Sequence, residues 1–214
     1  MNKRITTGLT ALLAAGSLAA TTAPSQAATA GSERHAGQRS LATVLAADGN
    51  HFDHNWHDFD IVDKAVHTVL EAKPDSPVGV LAQGNKRLTA FLPTDAAFQR
   101  LVKQLSGKAP HTEKATFKAV TKVADVDTIE TILLYHVVPG ATITAKQAAK
   151  ADGAELDTAA GKTLTVQVRH GMIRLVDQDP NARNARVVPY LADINKGNKQ
   201  IAHGITQVLR PVNL

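Results

Sequence analysis

The order of hydrophobic patterns along the chain is the feature that most restricts its fold. Apolar residues at the helical spacing of three and four dominate residues 52–133, whereas residues 164–176 alternate between apolar and polar as strands do. A regular strand-helix-strand alternation is absent from the sequence, which argues against a doubly wound parallel sheet. The sequence therefore predicts an α+β domain.

A strand that runs directly into a helix lies near the middle of the chain. Leu88–Leu92 has the composition of a buried strand, and Pro93 ends it. Thr94 stands where a helix N-cap is wanted, and Asp95 would complement the positive end of the same helix. Phe98 begins the apolar stripe of that helix, so we expect it to anchor the core.

Three further helices are predicted from periodicity and capping signals. The first covers at least Ile61–Ala72, with Asp58 or Asp60 as its cap. The second begins near Thr112 and turns Phe117, Val120 and Val123 inward, and the third starts at a capping box formed by Asp127 and Glu130. After it, Tyr135–Val138 is predicted to be a strand.

The second half of the chain is predicted to be mainly β. Thr144 caps a short helix, and Leu164–Val168 then forms a hairpin with Met172–Val176 across a turn at His170-Gly171. Val187-Val188 and Ile201–Leu209 supply the last strands.

The N-terminus has the three-part layout of a secretory signal peptide. Lys3 and Arg4 precede the apolar stretch Leu9–Ala20, and small residues follow up to Ala27. We predict cleavage after Ala27, a flexible lead-in over residues 28–40 and a single domain over residues 41–214. Polar residues interrupt the apolar stretch, so we expect no membrane span in the mature, secreted protein. The chain has no cysteine, so an extracellular fold depends on its hydrophobic core.

Basic residues are concentrated toward the C-terminus. Removal of the leader lowers the net charge from +5 to +3, and residues 162–214 carry most of the positive excess. This region forms either a solvated basic face or a site for an anionic polymer. Nucleic acid is an unsuitable partner, because aromatic residues are not interleaved and the chain is exported. The candidate residues are Arg169, Arg174, Arg183, Arg186, Lys196 and Lys199.

A histidine-rich segment precedes the first long helix. His51, His54 and His57 are spaced by three, and Asp58 follows them. Imidazole and carboxylate groups at short spacing bind zinc and similar ions. On a helix, however, the three imidazoles would spread over about 120°, so at most two neighbours would share one ion. The segment His51–Asp60 is therefore either a solvated polar face or the site of a secreted protein that binds a small ligand or a divalent metal.

The sequence contains no recognised catalytic signature. A nucleophile elbow, a zinc-protease helix motif and a phosphate-binding glycine loop are all absent. The pattern Asp177-x-Asp179-x-Asn181 lacks the glycine and the glutamate of a calcium loop. We therefore predict that the protein is not an enzyme and needs no cofactor. A hydrolase that uses carboxylates brought together by the fold remains the alternative.

Three segments together resemble the fasciclin (FAS1) domain family, in a secreted bacterial-type form. They are Phe91–Phe98, which contains Pro-Thr-Asp; Leu133–Gly140, which contains Tyr135 and His136; and Lys199–Pro211, which contains His203. The last segment departs from the family pattern at Lys199-Gln200, Gly204 and Thr206, so the turn before the final strand is expected to differ.

The resemblance implies a twisted β-wedge or sandwich with helices packed around it. It also implies a monomer that acts in extracellular adhesion, with a cell-surface or matrix protein or polysaccharide as ligand. In animal members the Tyr-His segment has been linked with integrin binding. Here apolar residues flank that pair, so we interpret His136 as a buried histidine and predict Thr94 and Asp95 as its hydrogen-bond partners.

Overall fold

The computed structural model describes residues 36–49 and 51–213. The predicted leader and most of the predicted lead-in lie outside these residues. The α-helices are α1 (Leu41–Leu45), α2 (Asp60–Ala72), α3 (Asp95–Ser106), α4 (Glu113–Val123), α5 (Val126–Tyr135) and α6 (Ala145–Ala148). The strands are β1 (Leu88–Pro93), β2 (Val137–Pro139), β3 (Glu155–Asp157), β4 (Thr163–Arg169), β5 (Met172–Val176), β6 (Ala185–Arg186) and β7 (Gln200–Ile205).

Strand β1 is the centre of a three-stranded sheet with the order β2-β1-β7. It runs parallel to β7, with Phe91 opposite His203, and antiparallel to β2, with Thr89 opposite Val138. Every residue of β1 is buried. Because successive side chains of a strand point to opposite faces, β1 contributes to two separate cores.

The two cores lie on opposite faces of the three-stranded sheet. Leu88, Ala90 and Leu92 of β1 pack with α2, α3 and α5 in the first core. Phe91 packs with Leu164 and other residues of the second sheet in the second core. Helices, three-stranded sheet and four-stranded sheet are therefore successive layers, which confirms the predicted α+β class and its sandwich of sheets.

The second sheet is antiparallel, with the order β3-β4-β5-β6. Its β4-β5 hairpin is the one predicted, with Arg169 opposite Met172. His170 and Gly171 of the turn have φ angles of 50° and 74°. Two consecutive positive values fit the two-residue turn whose twist matches that of the strands.

The residues just before α1 are attached to the domain. Lys199 N–H donates to Gly37 O at 2.9 Å, and Leu41 N–H donates to Gln200 Oε1 at 2.7 Å. The Gln200 amide also donates to the carbonyl oxygens of Val80 and Gln83. The attached part of the described chain therefore includes Gly37, four residues before the predicted start of the domain.

Several local predictions around α4 and α5 are wrong. Asp125, not Asp127, caps α5 by accepting from Thr128 N–H at 2.8 Å. Glu130 instead binds Lys73 and Ser76, across the chain. Val123 is 69% exposed, because the last turn of α4 points away from the core.

The predicted strand at Tyr135–Val138 begins two residues late. Tyr135 ends α5, and His136 is the C-cap of that helix, with its N–H donating to Leu133 O at 3.1 Å. Strand pairing starts only at Val137, opposite Ala90. Leu134, Tyr135 and His136 therefore form the end of α5, and only the residues from Val137 onward form a strand.

Gly84 allows the segment before α1 to pass close to the turn that precedes β1. A Cβ at this position would lie 1.8 Å from the carbonyl oxygen of Gln38. We expect Gly84→Ala to lower the free energy of unfolding by about 1–3 kcal/mol, because backbone atoms must shift to accept the methyl group. Urea unfolding measures this change.

Gly79→Ala is the matched control. Its Cβ would meet only Leu70 Cδ2, at an ordinary contact distance of 3.8 Å. Equal stabilities of the two variants would show that the close approach at Gly84 is not a constraint.

Candidate functional site

The three segments that carry the sequence resemblance meet around β1. Phe91 stands opposite His203 in the parallel pair, with ring centroids 5.9 Å apart. Phe91 N–H donates to His136 O at 2.9 Å, and Thr94 N–H donates to Ile205 O at 3.2 Å. Segments distant in the sequence are thus joined by backbone hydrogen bonds.

All eight signature side chains singled out from the sequence are buried. None is more than 6% exposed among those with a stated value: Phe91, Thr94, Asp95, Phe98, Tyr135, His136 and His203. Pro93 is also buried. The phenol of Tyr135 donates to Thr163 O at 3.0 Å, and burial raises its pKa to about 12. These side chains therefore support the fold from inside.

His136 links the end of α5 to the C-terminal segment. Its Nδ1–H donates to Ile132 O at 2.7 Å, and its Nε2 accepts from Leu209 N–H at 2.9 Å. The predicted partners Thr94 and Asp95 are thus wrong, and backbone groups take their place. Burial lowers the pKa of His136 to about 4, so the imidazole is neutral at pH 7.

His203 has a similar environment in β7. Its Nε2–H donates to Ile143 O at 2.8 Å, and its Nδ1 accepts from Asp193 N–H at 3.2 Å. Burial lowers its pKa as well. Both signature histidines are therefore neutral connectors: His136 joins the end of α5 to the segment after β7, and His203 joins β7 to neighbouring loops.

Asp95 caps a helix other than its own. Thr94 occupies the N-cap position of α3, but its side chain makes no capping hydrogen bond. Asp95 Oδ1 instead accepts from Ile61 N–H at 2.9 Å, at the start of α2. The predicted caps of α2, Asp58 and Asp60, do not cap it, and Phe59 holds the N-cap position without a side-chain bond.

The histidine-rich segment is a loop rather than a helix. His51, His54 and His57 are exposed, and His54 has a φ of 76°. His51 Nδ1 lies 3.1 Å from Gly49 O, and His57 Nδ1 lies 3.4 Å from the Tyr190 hydroxyl. Within the part of the chain that the structure describes, no histidine belongs to a group of potential metal ligands.

Carboxyl groups converge at this place instead. Oxygen atoms of Asp60, Asp95 and Glu113 lie within 4.8 Å of one another. Oxygen atoms of Asp53, Asp58 and Asp60 form a second group within the same distance. Asp58 was predicted to be a ligand, and Asp53 and Asp60 lie in the predicted segment His51–Asp60, whereas Asp95 and Glu113 were not predicted as ligands. Burial raises the pKa of Asp95 well above its usual range, and neighbouring Asp58 and Asp60 raise it further.

Three of the six basic candidates share one face of the four-stranded sheet. Arg174 stands between the buried residues Ile173 and Leu175, so it points away from the core, and it pairs with Arg186 on β6. Arg169 at the end of β4 lies on the same face, 3.8 Å from an Asp152 carboxylate oxygen.

The other three basic candidates lie elsewhere. Arg183 is exposed in the loop before β6. Lys196 and Lys199 belong to the turn before β7, where Lys196 Nζ binds Asp193 Oδ2 at 2.8 Å. The structure thus divides the predicted basic region into separate surfaces.

Comparisons with known proteins give one family. A family model for the fasciclin domain matches residues 66–211, more than half of the chain. No curated protein matches the chain. A similar solved structure is a FAS1 domain pair of the insect cell adhesion molecule fasciclin I, with 20% identity and a TM-score of 0.47. The match covers 71% of this chain and 45% of that chain, less than half the length of the insect protein's chain.

The neutral state of His136 predicts a pH dependence of stability. The unfolded chain binds a proton at this histidine below about pH 6.5, whereas the folded chain binds it only below about pH 4. The free energy of unfolding therefore falls as pH decreases across this window, by on the order of 3 kcal/mol from this group.

His136→Ala tests this prediction by chemical denaturation at several pH values. At pH 7 we expect a loss of about 1–3 kcal/mol, because Leu209 N–H loses its acceptor. Between pH 6.5 and 4 the free energy of unfolding of the variant is expected to fall less than that of the wild type. Exposed His111→Ala is the control. If the free energy of unfolding of the His136 variant falls with pH as steeply as that of the wild type, His136 is not the source of the pH dependence.

Proposed function

We propose, on the premise that this chain belongs to the fasciclin domain family, that it is a secreted adhesion module for an anionic cell-surface or matrix ligand. The fasciclin domain is generally linked to cell adhesion and is an adhesion-type rather than an enzymatic domain. Such domains are typically extracellular or located at the cell surface. Of the described helices, none is long and apolar enough to cross a membrane.

The signature residues themselves are unsuited to be the contact surface. Tyr135 is 0% exposed and His136 is 5% exposed. A macromolecular ligand contacts exposed groups, so adhesion through these two side chains would require the domain to open. The binding surface must therefore be formed by other residues.

The observation that carries the proposal is the cross-strand pair Arg174–Arg186. Like charges directly opposite each other on a sheet are unfavourable. Among the described residues, neither guanidinium has a salt-bridge partner. Guanidinium groups bind carboxylate, sulfate and phosphate groups in a bidentate manner. An anionic group lying across the pair would offset their repulsion.

A polysaccharide that carries acidic groups fits this surface better than a small molecule. Arg169 and Arg186 are exposed on the same face, and Thr165 and Gln167 of β4 add polar side chains to it. The face is open rather than a closed pocket, and a repeating polyanion can contact several separated cations at once. We accordingly assign the outer face of β4, β5 and β6 as the ligand surface.

The hydrolase alternative is not favoured by the site. Asp95 is 0% exposed and Glu113 is 1% exposed, so neither carboxyl group presents a surface to a substrate. Catalytic carboxylates must reach the bond that they cleave.

The ligand surface is tested by retention of the mature protein on an immobilised acidic polysaccharide, such as alginate, in a salt gradient. We expect Arg174→Gln/Arg186→Gln to elute at clearly lower salt than the wild type, because two contacts between a guanidinium and a carboxylate are lost. Lys118→Gln/Lys122→Gln on α4 is the control, since it removes the same charge from exposed positions elsewhere.

Two results would contradict this surface. Unchanged retention of the arginine variant would exclude the outer face of the sheet. Equal loss in the α4 control would show that net charge, rather than the arginine pair, governs retention.

We also propose that residues 1–27 are a cleaved leader, on the basis of their sequence layout. The exported protein is then expected to begin at Ala28 when its N-terminus is sequenced. An intact Met1 in protein recovered from the medium would contradict this proposal.

A further inference from the structure

The carboxyl cluster beside the histidine-rich loop has no part in the proposed adhesion surface. Asp60, Asp95 and Glu113 are the first residues of α2, α3 and α4. The starts of three helices therefore meet at one point, each with an acid. Helix N-termini stabilise negative charge, which explains how three carboxyl groups can be buried together.

Glu113 provides an observation that points to a ligand. Its side chain is 1% exposed, and its Oε2 accepts from His54 N–H at 3.0 Å. Its other oxygen, Oε1, is buried and has no hydrogen-bond partner among the described residues. A glutamate oxygen of this residue lies within 4.8 Å of oxygens of Asp60 and Asp95. A buried carboxylate oxygen needs a donor or a cation, and the side chain that carries it lies beside two other acids.

The position of the cluster gives access from solvent. A depression of about 260 Å³ reaches Asp60 and is bordered by His51, Phe52, Lys64 and Lys114. On the loop side, oxygens of Asp53 and Asp58 lie within 4.8 Å of Asp60. Asp60 thus connects the buried acids with the more accessible ones.

We propose that Asp60, Asp95 and Glu113 bind one divalent cation of the calcium or magnesium type, with Asp58 and Asp53 completing the shell from the loop. An all-oxygen set of carboxylates suits these hard cations, whereas zinc prefers nitrogen and sulfur. The ligands therefore differ from the histidines to which the sequence pointed. Such a cation would hold the loop over residues 51–59 against the starts of three helices.

Trp56 offers a direct probe of this site. It is the only tryptophan of the chain and lies in the same loop, with its carbonyl oxygen accepting from Ala96 N–H at 3.0 Å. Excitation of Trp56 should therefore sensitise terbium bound at the cluster. Calcium should displace the terbium and abolish its luminescence.

The experiment titrates the EDTA-stripped mature protein with Tb³⁺, Ca²⁺ and Mg²⁺ and measures terbium luminescence and the melting temperature. We expect one saturable site and a rise in melting temperature. Glu113→Gln, which keeps an acceptor for His54 N–H, and Asp60→Asn should each weaken binding at least about tenfold, because affinity follows the charge of the ligands. Exposed Asp127→Asn should bind as the wild type does.

Lys64→Gln and Lys114→Gln distinguish a cation site from a cluster in which the two lysines neutralise the carboxylates. Removing a neighbouring positive charge should tighten cation binding if the proposal is right. Melting in EDTA verifies that each variant is folded.

Three outcomes would overturn the proposal. One is no saturable change up to about 10 mM of Ca²⁺ or Mg²⁺, above the range of weak extracellular calcium sites. Another is terbium binding that is unaffected in both Glu113→Gln and Asp60→Asn. The third is binding of zinc alone that is lost in His54→Ala/His57→Ala.

Discussion

Burial of β1 on both faces is the constraint on which the rest of the structure depends. Its two edges pair with β2 and β7, its one face packs on helices, and its other face packs on the second sheet. A strand in this position tolerates few polar groups. The exception, Thr89, is satisfied because its hydroxyl donates to Ala141 O and accepts from Ile143 N–H, both at 2.9 Å. Thr89 therefore links β1 to the segment that contains Ala141 and Ile143.

The signature residues of this fasciclin domain are connectors between elements. His136 joins α5 to the C-terminal segment, and Asp95 joins the end of β1 to the start of α2. Each is buried and makes its bonds to backbone groups, which fixes the relative position of whole elements rather than of single side chains. These residues therefore serve the architecture of the domain, and its exposed surfaces are left for contact with a ligand.

Local signals in the sequence were sufficient for α2, α3 and the β4-β5 hairpin. These elements depend on periodicity, on Gly107 at a helix end and on the His170-Gly171 turn, all of which are read within a few residues. The family resemblance supplied the layered arrangement, which periodicity alone does not specify.

Contacts between residues that are far apart in the sequence could not be predicted from local patterns. The capping box at Asp127 was wrong because Glu130 is bound to Lys73, more than fifty residues earlier in the chain. The short spacing of imidazole and carboxylate groups suggested histidine ligands, and the limit of two histidines for one ion assumed a helix, whereas the segment is a loop. One available signal was overlooked, namely an acid at the beginning of three successive helices, Asp60, Asp95 and Glu113. It becomes meaningful only when tertiary packing brings those helix starts together.

The pairing of β1 with β7 has a consequence for how the domain is made. Leu88 lies opposite Gln200, so the central strand acquires its parallel neighbour from a part of the chain roughly a hundred residues later. During synthesis, β1 has one edge and much of its surface without a partner until β7 emerges. Residues 200–209 complete the sheet and also carry the Leu209 N–H, which donates to His136 Nε2. The three-stranded sheet therefore cannot close before β7 has been synthesised.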